Sequence, residues 1–213
     1  MNGDVFLPNL EVLEIYEGNT LYYGGNQEWF SDSWKRRAGC GPTSFANLIC
    51  YLSKTHAGYE ALCPYDTTGK SGFVQLMENS WRFVTPGSKG VNTTDIFSDG
   101  AKGYGDEKGV ALMAESLVVA PLHSGTRSYK DISGFVVQAL KRRLPVAFLN
   151  LSNGILNNLD SWHWVTIVAL RGGDALIYDQ SKAKWINFQL WLSTSIMGGG
   201  FVTIEPFDRT ATG

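Results

Sequence analysis

From Cys40 to about Ser53 the apolar positions Phe45, Leu48, Ile49 and Leu52 fall at i, i+3, i+4 and i+7, one stripe of a helix. Pro42 is tolerated only in a first turn, so this helix starts within two residues of Cys40. Gly39 and Gly41 flank that cysteine and let the backbone approach closely there. Phe73, Leu76, Met77 and Ser80 predict a second helix, and another is expected near 131–143. Residues 1–36 are mixed and predict turns, short strands and a short helix at most. Residues 85–109 are polar, hold six glycines and read as a long connection with a little structure around "TTDIF". Such a connection is either a surface excursion or a lid beside a site. "VALMAESLVVA" at 110–120 reads as helix and then strand.

After Pro145 the period changes. "VAFLNL", "WHWVTIVAL", "ALIYD", "KWINF" and "GFVTIEP" predict five strands. Their connections are short, so antiparallel pairing is expected. Helices first and an antiparallel sheet second make an α+β fold. We find no repeat and no linker. The expectation is one domain over 1–213, with a helical lobe at about 25–143 and a sheet lobe at about 145–206.

Composition narrows the function. The chain has 213 residues, 44% of them hydrophobic, which is enough for one sizeable core. Charged residues make up 18% and the net charge is −2, without the clustered Lys and Arg of a nucleic-acid binder. The basic runs Lys35-Arg36-Arg37 and "KRR" at 141–143 read as solvated helix ends. No apolar run is long enough for a membrane span. The N-terminus shows no secretory signal, so the default is a cytoplasmic protein, with export of a mature form left open. Three cysteines (Cys40, Cys50, Cys63) and three histidines (His56, His123, His163) form no C-x-x-C or H-x-x-x-H pair, which argues against a structural zinc site or a disulfide framework. Asp95, Asp99 and Asp106 do not match a calcium loop. No metal or organic cofactor is expected.

The candidate chemistry centres on Cys40. A helix N-terminus carries roughly half an elementary positive charge and unpaired N–H groups. Both favour a thiolate, and the same N–H groups can hold an oxyanion. Cys40 reads either as a nucleophile or as a small residue packed under a turn. Cys50, inside the same helix, reads as core, and Cys63 as loop or core. A nucleophile needs a base. His56 and His123 lie in solvated or turn-like stretches, whereas His163 opens an apolar strand between Trp162 and Trp164. The base in turn needs an orienting acceptor, and Asp179 ends the next strand. Side chains alternate faces along strands, so the turn decides whether they meet. A three-residue turn at Arg171-Gly172-Gly173 sets Val165 opposite Asp179 and makes His163 its same-face diagonal neighbour. A two-residue turn at Gly172-Gly173 puts Asp179 on the other side. The pairing therefore requires an odd loop or a bulge.

"GCGPTSFANLICYL", followed far downstream by "HWVTIVAL" and "IYDQ", resembles the papain-like cysteine peptidases. Within them it resembles the branch of bacteriocin-processing, double-glycine leader peptidases and their stand-alone relatives. The resemblance spans roughly 25–205. It implies a papain-like fold with Cys40 as nucleophile, His163 as base and Asp179 as orienting group. It also implies an oxyanion-donating glutamine ahead of the cysteine. Gln27 is the candidate, thirteen residues upstream, with Asn26 and Gln180 as weaker alternatives. The implied activity is hydrolysis of a peptide or amide bond through a thiol acyl-enzyme. A transglutaminase-like acyl transferase would use the same triad, and a non-catalytic binding module would keep the fold. The expected partner is a peptide or amide substrate. Trp29, Trp34, Trp162 and Trp164 either line its groove or pack in the core.

Overall fold

The computed structural model describes residues 4–207 apart from Thr126. Its architecture is α+β, with two helical layers on one mainly C-terminal sheet. The helix of the cysteine motif, α2 (Cys40–Thr55), follows a short α1 (Ser33–Ala38) across Gly39. No side chain caps the start of α2. The two glycines beside Cys40 answer to packing. A Cβ on Gly39 would stand 2.4 Å from the Lys35 carbonyl oxygen and 2.6 Å from the Phe30 ring. One on Gly41 would stand 2.8 Å from Val91. The tip of α2 is thus wedged between α1 and the 88–91 turn, which fixes where Cys40 sits.

Helix α3 (Lys70–Trp81) forms as the sequence predicts, burying Phe73, Leu76, Met77 and Ser80. The 85–109 stretch does not stay a connection. Its second half is α4 (Thr94–Lys108), capped by the Thr93 hydroxyl on the Ile96 N–H and closed by Gly109 in the left-handed region. Phe97, Ala101 and Tyr104 form its buried face. Its glycines permit contact: a Cβ on Gly100 would lie 2.7 Å from the Phe83 carbonyl oxygen. A glycine-rich, polar stretch hid this helix because three well-spaced apolar residues suffice once neighbours supply packing.

The sheet comprises β1 (Val5–Phe6), β4 (Leu112–Val119), β5 (Val146–Asn150), β6 (His163–Arg171), β7 (Asp174–Asp179), β8 (Lys182–Asn187) and β9 (Gly199–Pro206). A separate hairpin joins β2 (Glu14–Glu17) and β3 (Thr20–Tyr23). The main order is β4-β9-β5-β6-β7-β8, with β1 paired to the far end of β6, and all pairs are antiparallel. Two strands, β1 and β4, therefore come from before residue 143. The 110–120 segment carries no helix: it runs as β4, an edge strand whose buried or half-buried residues are Leu112, Ala114, Leu117 and Val119. Helices α2 and α4 cover one face through Ser44 to Thr166 and Phe97 to Trp164. On the other face α5 (Tyr129–Lys141) and α6 (Phe188–Thr194) bring Phe135 and Trp191 onto Phe201 and Phe148. No helix among the described residues is long and apolar enough to cross a membrane.

The Gly39 wedge gives a ranking. Overpacking of a tight site costs about 1–3 kcal/mol. Gly39→Ala meets rigid backbone, whereas Gly41→Ala meets a valine side chain that can shift. Denaturant unfolding should show Gly39→Ala as the larger loss. Equal midpoints for the two variants would refute the wedge.

Candidate functional site

The site is assembled where the tip of α2 meets the start of β6. Cys40, His163, Asp179 and Gln27 all line one narrow cleft, together with Thr43, Asn47 and Thr166. His163 and Asp179 are buried, and Cys40 is half-buried. The His163 ring presents Nε2 to Asp179 Oδ1 at 2.6 Å. That leaves Nδ1 free of Asp179, with Cys40 lining the same cleft as the ring.

The route to this contact is the bulge. The β6–β7 turn is the two-residue Gly172-Gly173, with Arg171 paired to Asp174 and Gly172 at φ 58°. Alone, it would turn Asp179 away from His163. The register then slips between Ile167 and Ala169, leaving Val168 without a partner across β7, and Thr166 pairs with Tyr178. One step on, Val165 stands opposite Asp179, and His163 is its diagonal neighbour. The bulged Val168 gives its carbonyl to the Leu7 N–H at 2.8 Å, just past β1, so the N-terminal segment ties down the irregularity.

Electrostatics follow from burial and partners. Burial pulls the His163 imidazole down. The Asp179 and Cys40 hydrogen bonds and charges outweigh it, and its pKa is pushed up to about 10. For Asp179, burial pushes the carboxyl up, but His163 and then Lys184 hold it below the ordinary carboxylate value. Lys184 is a residue that sequence reasoning missed. Its Nζ lies 2.7 Å from Asp179 Oδ2 as an ion pair, although that oxygen accepts no well-aligned hydrogen bond among the described residues. Asp179 pairs with Lys182, so alternation puts Lys184 on the same face. Only a known register could have revealed it.

Gln27 sits in a short 3-10 turn, Gln27–Trp29. Its amide nitrogen donates to the Arg36 carbonyl at 2.7 Å, and its Oε1 is buried without a partner among the described residues. An amide nitrogen has a second hydrogen, and Gln27 lines the cleft. The alternatives do other work. Asn26 caps the same turn through the Glu28 N–H and donates to the Gln180 carbonyl. Gln180 and Ser181 form the two-residue β7–β8 turn, at φ 48° and 61°. Such angles favour Asn-Gly and cost about 1–3 kcal/mol each in other residues. The turn is gripped from outside: the Tyr23 N–H donates to the Ser181 carbonyl, and the Ser181 N–H to the Gly25 carbonyl, both at 3.0 Å.

Behind the cleft lies a buried polar seam. Asn47 accepts the Gly25 N–H and donates to Thr166, both at 2.9 Å, and the Ser44 hydroxyl lies 3.1 Å from the Thr166 hydroxyl. The other thiols stand apart. Cys50 lies in the core against Thr67, and burial pushes its pKa up to about 11. Burial also raises Cys63. His56 closes α2, and His123 sits in an exposed turn. Of the four tryptophans that flank the Cys40 and His163 motifs, Trp34 and Trp162 are exposed beside Cys40, whereas Trp29 and Trp164 pack inward. No group of three or more His, Cys, Asp or Glu able to hold a metal occurs among the described residues.

The buried pair sets a pH window. His163 holds its proton more tightly folded, at about 10, than unfolded, at 6.5. Its contribution is complete below 6.5 and is lost as pH rises toward 10. Asp179 is held below its unfolded 3.8, so its contribution is complete above 3.8 and is lost on further acidification. In urea unfolding the stability gap between wild type and Asp179→Asn should be widest between about pH 4 and 6.5 and should narrow by about pH 9. A gap that does not change with pH would contradict the pairing.

No family model matches the chain. No curated protein matches it. Among solved structures it is similar to a double glycine motif protease from an AMS/PCAT transporter, in complex with the leader peptide. That match has 16% identity and a TM-score of 0.47, covering 91% of this chain and 98% of that one. It is also similar to a C39-like peptidase of Bacillus anthracis, at 14% identity and a TM-score of 0.47, covering 96% and 98%. A third likeness is to the peptidase domain of Streptococcus ComA, a bifunctional ABC transporter involved in quorum sensing. Its identity is 13% and its TM-score 0.42, covering 80% and 93%. All three likenesses are distant, and the chemistry of the site is set by this chain's own residues.

Proposed function

We propose that the chain is a cysteine peptidase or amidase with Cys40 as nucleophile, His163 as acid and base, and Asp179 as the group that orients the imidazole. The observation that carries this reading is the 2.6 Å contact of His163 Nε2 with Asp179, which turns the other ring nitrogen toward the Cys40 thiol at an uncapped helix start. In the reaction the Cys40 sulfur attacks the substrate carbonyl carbon and a C–S bond forms. His163 gives its proton to the leaving amine as the C–N bond breaks. Water, losing a proton to His163, then cleaves the thioester and releases the acid, and the proton returns to the sulfur–imidazole pair. The N–H of Cys40 and the free hydrogen of the Gln27 amide stabilise the oxyanion. Lys184 and the bulged strand hold Asp179 in place. The chemistry requires no metal or organic cofactor, and the substrate is a peptide or amide.

Iodoacetamide at about pH 5.5 should label wild type at Cys40 alone and leave Cys40→Ala unlabelled, because burial raises the other two thiols. Labelling confined to Cys50 or Cys63 would remove the nucleophile from the scheme. Gln27→Ala should keep the Cys40 labelling but lower kcat about a hundredfold, the usual cost of one lost oxyanion donor. An unchanged kcat would take Gln27 out of the oxyanion role. Exclusive hydrolysis in the presence of added amines would separate this activity from acyl transfer.

A further inference from the structure

A second, open pocket of about 480 Å³ lies on the outer side of Cys40, and the cysteine lines both it and the triad cleft. Its walls are the indoles of Trp34 and Trp162, left 41% and 49% exposed, and its inner surface includes Val91 and Leu149. They are the two exposed tryptophans among the described residues, and exposed aromatic surface facing a cavity marks a surface made to be covered. Trp162 has φ 55° just before His163, and the 88–91 turn is pinned by the Trp164 indole N–H on the Val91 carbonyl at 2.6 Å.

The rim has one sign of charge. Arg37 and Lys89 line the pocket, no Asp or Glu does, and neither cation has an acidic partner among the described residues. The neighbouring Lys35 is by contrast paired with Glu78. The Arg37 guanidinium is instead laid over the Trp34 ring at 5.8 Å, and it donates no side-chain hydrogen bond among the described residues. The positive end of α2 faces the same space.

We infer that this pocket selects the substrate, taking a bulky apolar side chain between Trp34 and Trp162 while Arg37 and Lys89 receive carboxylates beside it. The substrate class is an acidic peptide with a large apolar residue close to the bond that is cut. This rests on the peptidase reading for the cleavage but not for the binding.

Binding is therefore measured first, on the otherwise intact Cys40→Ala protein, by tryptophan fluorescence with four acetylated hexapeptides. One carries Phe beside two Asp. The others replace both Asp by Asn, both Asp by Lys, or Phe by Gly. The Phe-Asp-Asp peptide should bind best, and the advantage over the Asn peptide should vanish in about 0.5 M salt. Added to Cys40→Ala, Arg37→Gln and Lys89→Gln should each lower its affinity about 2- to 5-fold, the range of an exposed ion pair, and shrink the Asp preference. Trp162→Ala should lower affinity for the Phe peptides about tenfold and leave the Gly peptide unmoved. Lys130→Gln, an exposed cation outside the pocket, should change nothing. Equal binding of the Asp, Asn and Lys peptides, or no binding of any, overturns the inference. If the acidic peptide binds as expected but wild type never cleaves it, the pocket stands and the peptidase reading falls. If wild type cleaves the Lys and Gly peptides as fast as the acidic one, the reverse holds.

Discussion

One buried amide joins three of the four pieces of chain that carry the site. Asn47, about two turns along α2 from Cys40, accepts the N–H of Gly25 and donates to Thr166. Gly25 lies two residues before Gln27, and Thr166 three after His163. Fully buried polar groups demand their partners, so this amide has essentially one low-energy arrangement. Close packing around it leaves no slack, since a Cβ on Gly24 would fall 2.9 Å from the Asn47 oxygen and one on Gly25 2.6 Å from Phe73. The relative position of Cys40, His163 and Gln27 is thereby set by buried contacts.

In front of the amide the balance is electrostatic. His163 and Asp179 are both buried, and each alone would be costly to charge. Together, with Lys184 on the outer oxygen, they form a chain of alternating sign that runs from Cys40 toward the surface. The outermost cation is partly exposed, so it contributes mainly orientation, whereas the inner contact is shielded from water.

Much of this was legible in the sequence, and the boundaries of legibility have physical causes. The helix beginning at Cys40 and the strands after Pro145 show because their apolar residues repeat at a single period. The α+β class followed from those two patterns. Helix α4 did not show, because Gly100, Gly103 and Gly105 lower its intrinsic propensity and only contact with its neighbours makes them tolerable. β4 was half lost because its less exposed residues, at 112, 114, 117 and 119, change parity halfway and break the alternation of a strand. Asp179 was legible only as a condition, an odd loop or a bulge. The chain uses a two-residue turn and restores the parity at Val168, a choice that periodicity does not encode. Lys184 and the Asn47 seam depend on register and on contacts between distant segments, which one sequence cannot supply.

The Gln180-Ser181 turn carries a last consequence. Two left-handed residues without glycine store strain immediately after Asp179, and what holds them is the 23–26 segment that leads into Gln27. The Gln27 side and the Asp179 side of the cleft thus share one clasp. Loosening of residues 23–26 would release the turn and displace Asp179 and Gln27 together. The two sides of the cleft would then lose their geometry in one step.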